Sequence, residues 1–499
     1  MSKFHSMVSR RDFMKGLGLA GAGLGAASLV APVFHDLDEV LAAPKAIQKR
    51  PWYVKERELL NPSVEVDWDM MQRFDRRRNG QTARAQAIYY GKDRVLSMTA
   101  KGNEKTANKV KTFAPGYSLK WQALGLGRTR PSSASHGWVG HPKKGITPEE
   151  RGVPKWTGTP EEGSRMLTAA ARYFGAGLVG YAELDNTWRN KLILKYSRGK
   201  VSGNDQIDAP WPPPDTLQKP YVYEDVDKGY EGEAKYVIPS KNMYAVVLAG
   251  LDSQSMSKAR TAEGGGYFQT NGSGALGAHG MIHDSMINFL GALGNYQFLD
   301  DFGHGSAALN WGAATVMTGI AEQSRQNCFV LTPEYASFIN PGSAFTDLPV
   351  APSAPIDAGM WRFCADCGKC AVSCPAQVIS HDKKPTWEVP QIEGKDDTTH
   401  NRGVKAFWTN MTMCRIFSAE NGLGHGCGTC QGECVFAQDS AAMVHSVIKG
   451  TVSTVGVFNG FFANMGELFG YGNYDPENWW DMSLPAYGID TMAVAWKGK

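Results

Sequence analysis

The residues best placed to do chemistry are cysteines: eight of the nine in this 499-residue chain fall between Cys364 and Cys434. Cys364-x2-Cys367-x2-Cys370-x3-Cys374-Pro375 sets three thiolates on a tight loop around one four-iron, four-sulfur cubane and sends the fourth, on a following helix, to a second cubane. Cys414 with Cys427-x2-Cys430-x3-Cys434 repeats the pattern, with a longer first gap and Val435 where proline is usual. The spacing predicts two clusters. Cys364, Cys367, Cys370 and Cys434 hold one, and Cys414, Cys427, Cys430 and Cys374 hold the other. Zinc sites built from two separated cysteine pairs need no third cysteine at this offset, and a disulfide framework would not crowd eight cysteines into one segment of a long chain. Cys328 stands apart and reads as a small buried core residue.

Two clusters make a short electron wire, and the long chain ahead of it must hold a second redox centre or a substrate pocket. Fragile clusters are inserted in a reducing compartment, and the N-terminus carries an address suited to moving a folded protein out of one. Ser9-Arg10-Arg11-Asp12-Phe13-Met14-Lys15 precedes a small, weakly apolar stretch from Gly16 to Pro32, the pattern of a twin-arginine signal. That stretch is too short to span a bilayer of roughly 30 Å. Val40-Leu41-Ala42 resembles a cleavage site, so 1–42 is expected to be a signal peptide and the mature chain to start near Ala43. No later stretch reaches about eighteen consecutive apolar residues, so membrane association must come through a partner or a surface patch. The 52 basic and 49 acidic residues nearly balance at +3, and no basic run alternates with aromatics, which excludes a nucleic-acid track.

The elements that must position such a site are legible in places. Residues 43–158 are polar and weakly periodic apart from Val66 to Met71, and no role is assigned to them. Thr159-Pro160-Glu161-Glu162 is a capping box with proline at the first helical position, starting a helix with Met166, Ala170, Tyr173 and Phe174 at helical spacing and Gly175 at its end. Strands are predicted at Leu178 to Leu184 and at Tyr244 to Ala249, helices at Met281 to Leu293 and Ala307 to Gln323, and a proline-rich surface loop at Gln206 to Pro220. The glycine-dense run Gly264 to Gly280 predicts close approach of backbone to a ligand. Together these give an α/β core over 159–345, an iron-sulfur domain over 346–440 and a C-terminal segment, 441–499, that packs on the core.

Signal, core, doubled cysteine motif and tail together resemble the corrinoid-dependent reductive dehalogenases of organohalide-respiring bacteria. Leu348-Pro349-Val350-Ala351-Pro352, Pro355-Ile356-Asp357-Ala358-Gly359, Phe458-Asn459-Gly460-Phe461-Phe462 and Asn478-Trp479-Trp480 carry the resemblance. It implies an α+β fold: a nitroreductase-like, cobamide-binding core with a bacterial-ferredoxin-like two-cluster domain. It implies replacement of a carbon-bound halogen by hydrogen with two electrons and one proton, at a Co(I) cobamide. No Asp-x-His-x-x-Gly motif supplies a cobalt ligand and His304 lies in another context, so the cobamide is expected base-off with no protein ligand. The family's tyrosine proton donor falls near Gly274 to Leu276, which makes Tyr267 the candidate, with Arg325 to ease its deprotonation. The family's arginine after the stretch Thr332-Pro333-Glu334-Tyr335 falls on Asn340, and Arg325 matches another family arginine. Gly264, Gly265, Gly266, Ser306 and Asn310 are the expected cobamide contacts, and His279 with His283 read as core or surface residues. The implied partners are an organohalide substrate, a small integral-membrane anchor and a membrane electron donor, with the enzyme peripheral at the outer face of the cytoplasmic membrane. The competing readings are an exported electron-transfer subunit without cobamide and a related enzyme reducing an epoxide, against which export argues.

Overall fold

The computed structural model describes the chain from residue 50, apart from 128–137, 140–146, 198–206, 212–217, 262–263, 266–277, 295, 301–307, 424–425, 438–442, 455, 457–458, 469–471 and 483–499. The helices that bear on the site are α1 (Ala83–Tyr90), α2 (Lys92–Lys111), α3 (Pro160–Tyr173), α4 (Gln254–Lys258), α5 (Ala278–Gly294) and α6 (Trp311–Met317). Beyond them come α7 (Met360–Cys367), α8 (Lys369–Val372), α9 (Met411–Glu420), α10 (Thr429–Gly432), α11 (Met443–Thr454) and α12 (Asn459–Leu468). The main sheet uses β1 (Ala176–Glu183), β2 (Tyr244–Leu251), β3 (Leu299–Asp300) and β4 (Ile339–Thr346) in the order β1-β2-β4-β3, every pair antiparallel.

β2 is the centre of the molecule. Its run Ala245 to Ala249 is apolar without alternation because both faces are covered, and all five residues are fully buried. On one face Leu178, Ala182, Ala245, Val247 and Ala249 share a core with Ala314, Val316 and Met317 of α6. On the other, the hydroxyl of Tyr181 lies 2.8 Å from Thr168 Oγ1 and donates to Ser164 O at 3.1 Å, tying the sheet to α3. Gly180 makes the first packing possible: a Cβ there would sit 2.5 Å from Thr318 Oγ1.

The capping box of α3 forms as its sequence predicts, with Thr159 and Glu162 exchanging side-chain and backbone bonds. Its buried face, however, is Gly163, Ser164, Leu167, Thr168 and Ala171, while Tyr173 is 88% exposed. The larger apolar residues had suggested a face rotated from the one that packs, because small residues are what the close approach to Pro349 and Val350 admits. α5 is longer than expected at both ends and α6 shorter. The helix predicted to reach Gln323 stops near Gly319, whose φ of +70° and contact with Ala354 O break it, and Glu322–Gln323 pair instead with Val330–Leu331.

The unassigned N-terminal region contributes α1 and α2, which pack on α9 through Ala83, Val95, Met98 and Ile416. α2 escaped the sequence reading because a lysine-rich helix shows only a thin apolar stripe. By its contacts Gln48–Lys499 is one compact unit. Among the described residues no helix is long and apolar enough to cross a membrane.

Candidate metal centre

Both halves of the cysteine motif are built the same way: a helix carrying the first cysteine, a left-handed glycine after the second, a single helical turn carrying the third, and the fourth at its end. In the first half α7 carries Cys364 and Cys367, Gly368 turns the chain at φ +62°, α8 carries Cys370, and Cys374 follows. In the second, Cys414 sits in the first turn of α9, Cys427 precedes Gly428 at φ +66°, α10 carries Cys430, and Cys434 follows. Glycine is favoured at 368 and 428 because a Cβ makes the left-handed conformation unfavourable.

Each helix is pinned at its start. Asn410 accepts from Met413 N at 2.9 Å to cap α9. Gly359 offers α7 no side-chain cap, and the carboxylate of buried Glu322 takes its place, accepting from Ala358 N and Met360 N at 3.0 Å each. Arg362 donates to Ser453 O at 3.0 Å and Asn459 to Asp366 at 2.8 Å, so α11 and α12 clamp α7 from outside.

The two halves interdigitate. Cys364, Cys367 and Cys370 line one cavity together with Cys434 from the other half, walled by Phe363, Phe436 and Leu331. Cys414 lies within electrostatic reach of Cys427 and Cys430 and of Cys374 from the first half. Cys430 is also within electrostatic reach of Cys370 and Cys434, so all these thiols share one neighbourhood. Lys369 and Glu433 close the seam between α8 and α10 at 3.3 Å. All nine cysteines are unbridged, and among the described residues no three acidic, histidine or cysteine side chains are gathered as ligands of a single ion. Two such loops of four cysteines each have the donor chemistry of an iron-sulfur site.

Burial pushes the thiols of Cys364, Cys367, Cys370 and Cys414 above the usual range, and that of Cys434 to about 12. Several anionic sulfurs in so dry a place are stable only with a cationic group among them, so metal binding and thiol deprotonation are coupled. Cys328 is not the isolated core residue expected from sequence. It is only half-buried, and its side chain hydrogen-bonds that of Cys430, the contact that contributes most to raising the Cys430 thiol. The signal for this was weak, since nothing in the spacing ties Cys328 to the motif.

Arg325 is buried against the first cysteine loop. Nε donates to Cys364 O at 2.9 Å, Nη1 to Ser380 O and Asp382 O at 2.8 and 2.7 Å, and Nη2 to Ala365 O at 3.3 Å, with the guanidinium 3.8 Å from the Phe407 ring centroid. Every nitrogen is engaged with a carbonyl of the cluster domain, the geometry of a residue that positions a loop. Asn310 caps α6, its Oδ1 accepting from Ala313 N at 3.3 Å. Gly264 and Gly265 form the return arm of a hairpin with Arg260–Thr261. Asn340 lies in β4 opposite Gly250. His283 is buried edge-on to Phe298, as a core histidine. Gly266, Tyr267, His304 and Ser306, and the signal 1–42, lie outside the described residues, as does the side chain of His279.

A family model described as reductive dehalogenase subunit matches residues 49–350. A chloroethene reductive dehalogenase of Dehalococcoides mccartyi is 31% identical over 98% of this chain and 99% of its own length. The chain belongs to the reductive dehalogenase family. A trichloroethene reductive dehalogenase from another strain of that organism is 28% identical over 97% of this dehalogenase and 98% of the relative. Among solved structures, the catabolic reductive dehalogenase NpRdhA in complex with 3-bromo-4-hydroxybenzoic acid matches 85% of this chain with a TM-score of 0.56 at 16% identity. A reductive dehalogenase structure described as suggesting a mechanism for B12-dependent dehalogenation matches the same share with a TM-score of 0.54. This chain spans about half the length of those two proteins, 50% of each, and the likeness establishes a shared fold. The mixed α/β architecture is thus that of reductive dehalogenases, oxidoreductases that act on carbon–halogen bonds.

Proposed function

We propose that this enzyme replaces a carbon-bound halogen by hydrogen, R–X + 2e⁻ + H⁺ giving R–H + X⁻, in anaerobic organohalide respiration. Electrons enter through two 4Fe-4S clusters, one on Cys364, Cys367, Cys370 and Cys434, the other on Cys374, Cys414, Cys427 and Cys430. The observation that supports this reading is that Cys434 lines the cavity of the first cysteine half and that Cys374 lies within electrostatic reach of Cys414 in the second. A bound cobamide, base-off and without a protein ligand, supplies the low-valent cobalt to which the halocarbon's reduction is owed; the B12-dependent relative of the same fold supports it. Its site falls to the nitroreductase-like core and the glycine run entered at Gly264 and Gly265, with Gly266, Ser306 and Asn310 as contacts. The pair of strands Arg260–Thr261 and Gly264–Gly265, at which that run begins, is anchored beside Cys427 through Arg260. Tyr267 delivers the proton, and Arg325 acts by holding the first cysteine loop.

Chlorinated ethenes are the first substrates to assay, because two full-length relatives are named for them. The twin-arginine sequence supports export, with the enzyme held at the outer face of the cytoplasmic membrane by a small integral-membrane anchor and fed by a membrane donor. Protein produced anaerobically with cobamide, iron and sulfide is expected to hold about eight irons and one cobalt and to release chloride from a chloroethene with reduced viologen. Eight irons with no cobalt and no chloride release would leave only an electron-transfer subunit. Tyr267→Phe is expected to keep both metals and lose turnover; unchanged turnover removes Tyr267 from the mechanism.

A further inference from the structure

We propose that Arg260 is a positioning residue whose buried charge raises the reduction potential of the cluster held by Cys374, Cys414, Cys427 and Cys430. The inference rests on the two-cluster reading above. Arg260 is 5% exposed. Its Nε donates to Ser257 O and its Nη1 to Cys427 O. The guanidinium lies directly over Gly428, where an added Cβ would stand 2.1 Å from Nη1, 2.3 Å from Cζ and 2.5 Å from Nη2. The cation therefore covers the bare backbone between Cys427 and Cys430, a space left by the one residue type without a side chain.

The placement is built by backbone and does not depend on the charge. Arg260 N donates to Tyr474 O at 3.0 Å, Ala259 pairs with Tyr474, and Lys258 Nζ donates to Ala437 O at 3.1 Å. The charged groups that face the guanidinium are Cys427, Cys430 and Asp252; burial lowers its proton affinity and those three hold it up. An arginine stays charged in such a site, and removing it from water is costly unless negative charge lies close by. A cluster on four thiolates is that negative charge, and it gains one more electron on reduction, with no bond made or broken. A fixed cation in a medium of low dielectric stabilises the reduced form over the oxidised one and raises the potential. Arg325, donating to Cys364 O at 2.9 Å, is a buried arginine beside the first cysteine loop and stays in place when Arg260 is changed. One midpoint should move and the other should not.

The test is an EPR-monitored redox titration with dithionite on full-length protein reconstituted with iron and sulfide, comparing wild type with Arg260→Met and Arg260→Lys. Arg260→Met is expected to keep its iron and lower one midpoint by at least the equivalent of a tenfold change in the reduction equilibrium, 59 mV for one electron. The second midpoint stays, and Arg260→Lys recovers most of the shift. If Arg260→Met loses iron, Arg260→Gln keeps a donor to the Cys427 carbonyl without the charge, and the midpoint is read there. Two unmoved midpoints in a neutral variant with full iron, or equal movement of both, overturn the proposal. Wild type holding iron for one cluster or none overturns the two-cluster reading instead, which the metal analysis reports separately.

Discussion

At the scale of single residues, the two left-handed glycines make matched probes. A Cβ at Gly368 meets nothing, so Gly368→Ala should cost only the left-handed strain, about 1–2 kcal/mol, and retain iron at both clusters. At Gly428 the same change also strikes the Arg260 guanidinium, so Gly428→Ala should destabilise more and lose iron selectively from one cluster. Urea unfolding and iron analysis measure both, and equal effects would show that Arg260 does not occupy that space. Arg325→Lys keeps a cation but lacks the fork that reaches Cys364, Ala365, Ser380 and Asp382. Its expected outcome is iron content falling from about eight toward four, with loss of one EPR signal. Full iron with turnover lost would instead return Arg325 to the proton-delivery role that the family resemblance suggested.

At the scale of elements, α7 depends on a cap from a distant part of the chain. Glu322→Ala leaves two buried N–H groups without an acceptor and should destabilise by about 1–3 kcal/mol for each, whereas Glu322→Gln keeps an acceptor. Burial pushes the Glu322 carboxyl up and Asp357 adds to it, while bonds from Ser63, Met360 N and Ala358 N offset only part. With the folded value above the unfolded one, the native state binds the extra proton, so this group's contribution is greatest below the ordinary glutamate range. It declines as pH rises through the raised value. The stability of Glu322→Gln relative to wild type should therefore improve from pH 5 to pH 8 in denaturant titrations; a difference that shrinks with pH would contradict the assignment. No sequence pattern announces such a cap, because the acceptor lies outside the helix it serves.

At the scale of the whole molecule, the N-terminal region is a support for α9, the helix that carries Cys414. α2 lies so close to α9 that a Cβ at Gly102 would stand 1.9 Å from Ala419 O, and Arg94 makes two bonds of 2.9 Å to Glu420. Gly102→Val should force these helices apart, displace Cys414 and lower iron content while the β-sheet core keeps its cooperative unfolding. Retention of full iron would mean that α9 holds its place without α2.

Covalent spacing is local, so the cysteine motif and the capping box of α3 were legible in the sequence alone, as was β2, whose unbroken apolar run reads as a doubly covered strand. The buried face of α3, the end of α6 at Gly319 and the helices of 43–158 were not, because small residues, close backbone contacts and lysine-rich surfaces leave little hydrophobic periodicity to read. Tertiary structure alone decided that Glu322 caps α7, that Cys328 touches Cys430, and that Arg325 and Arg260 each reach a cysteine carbonyl. Those contacts join residues far apart in the chain, and only folding brings a buried charge and its partner together.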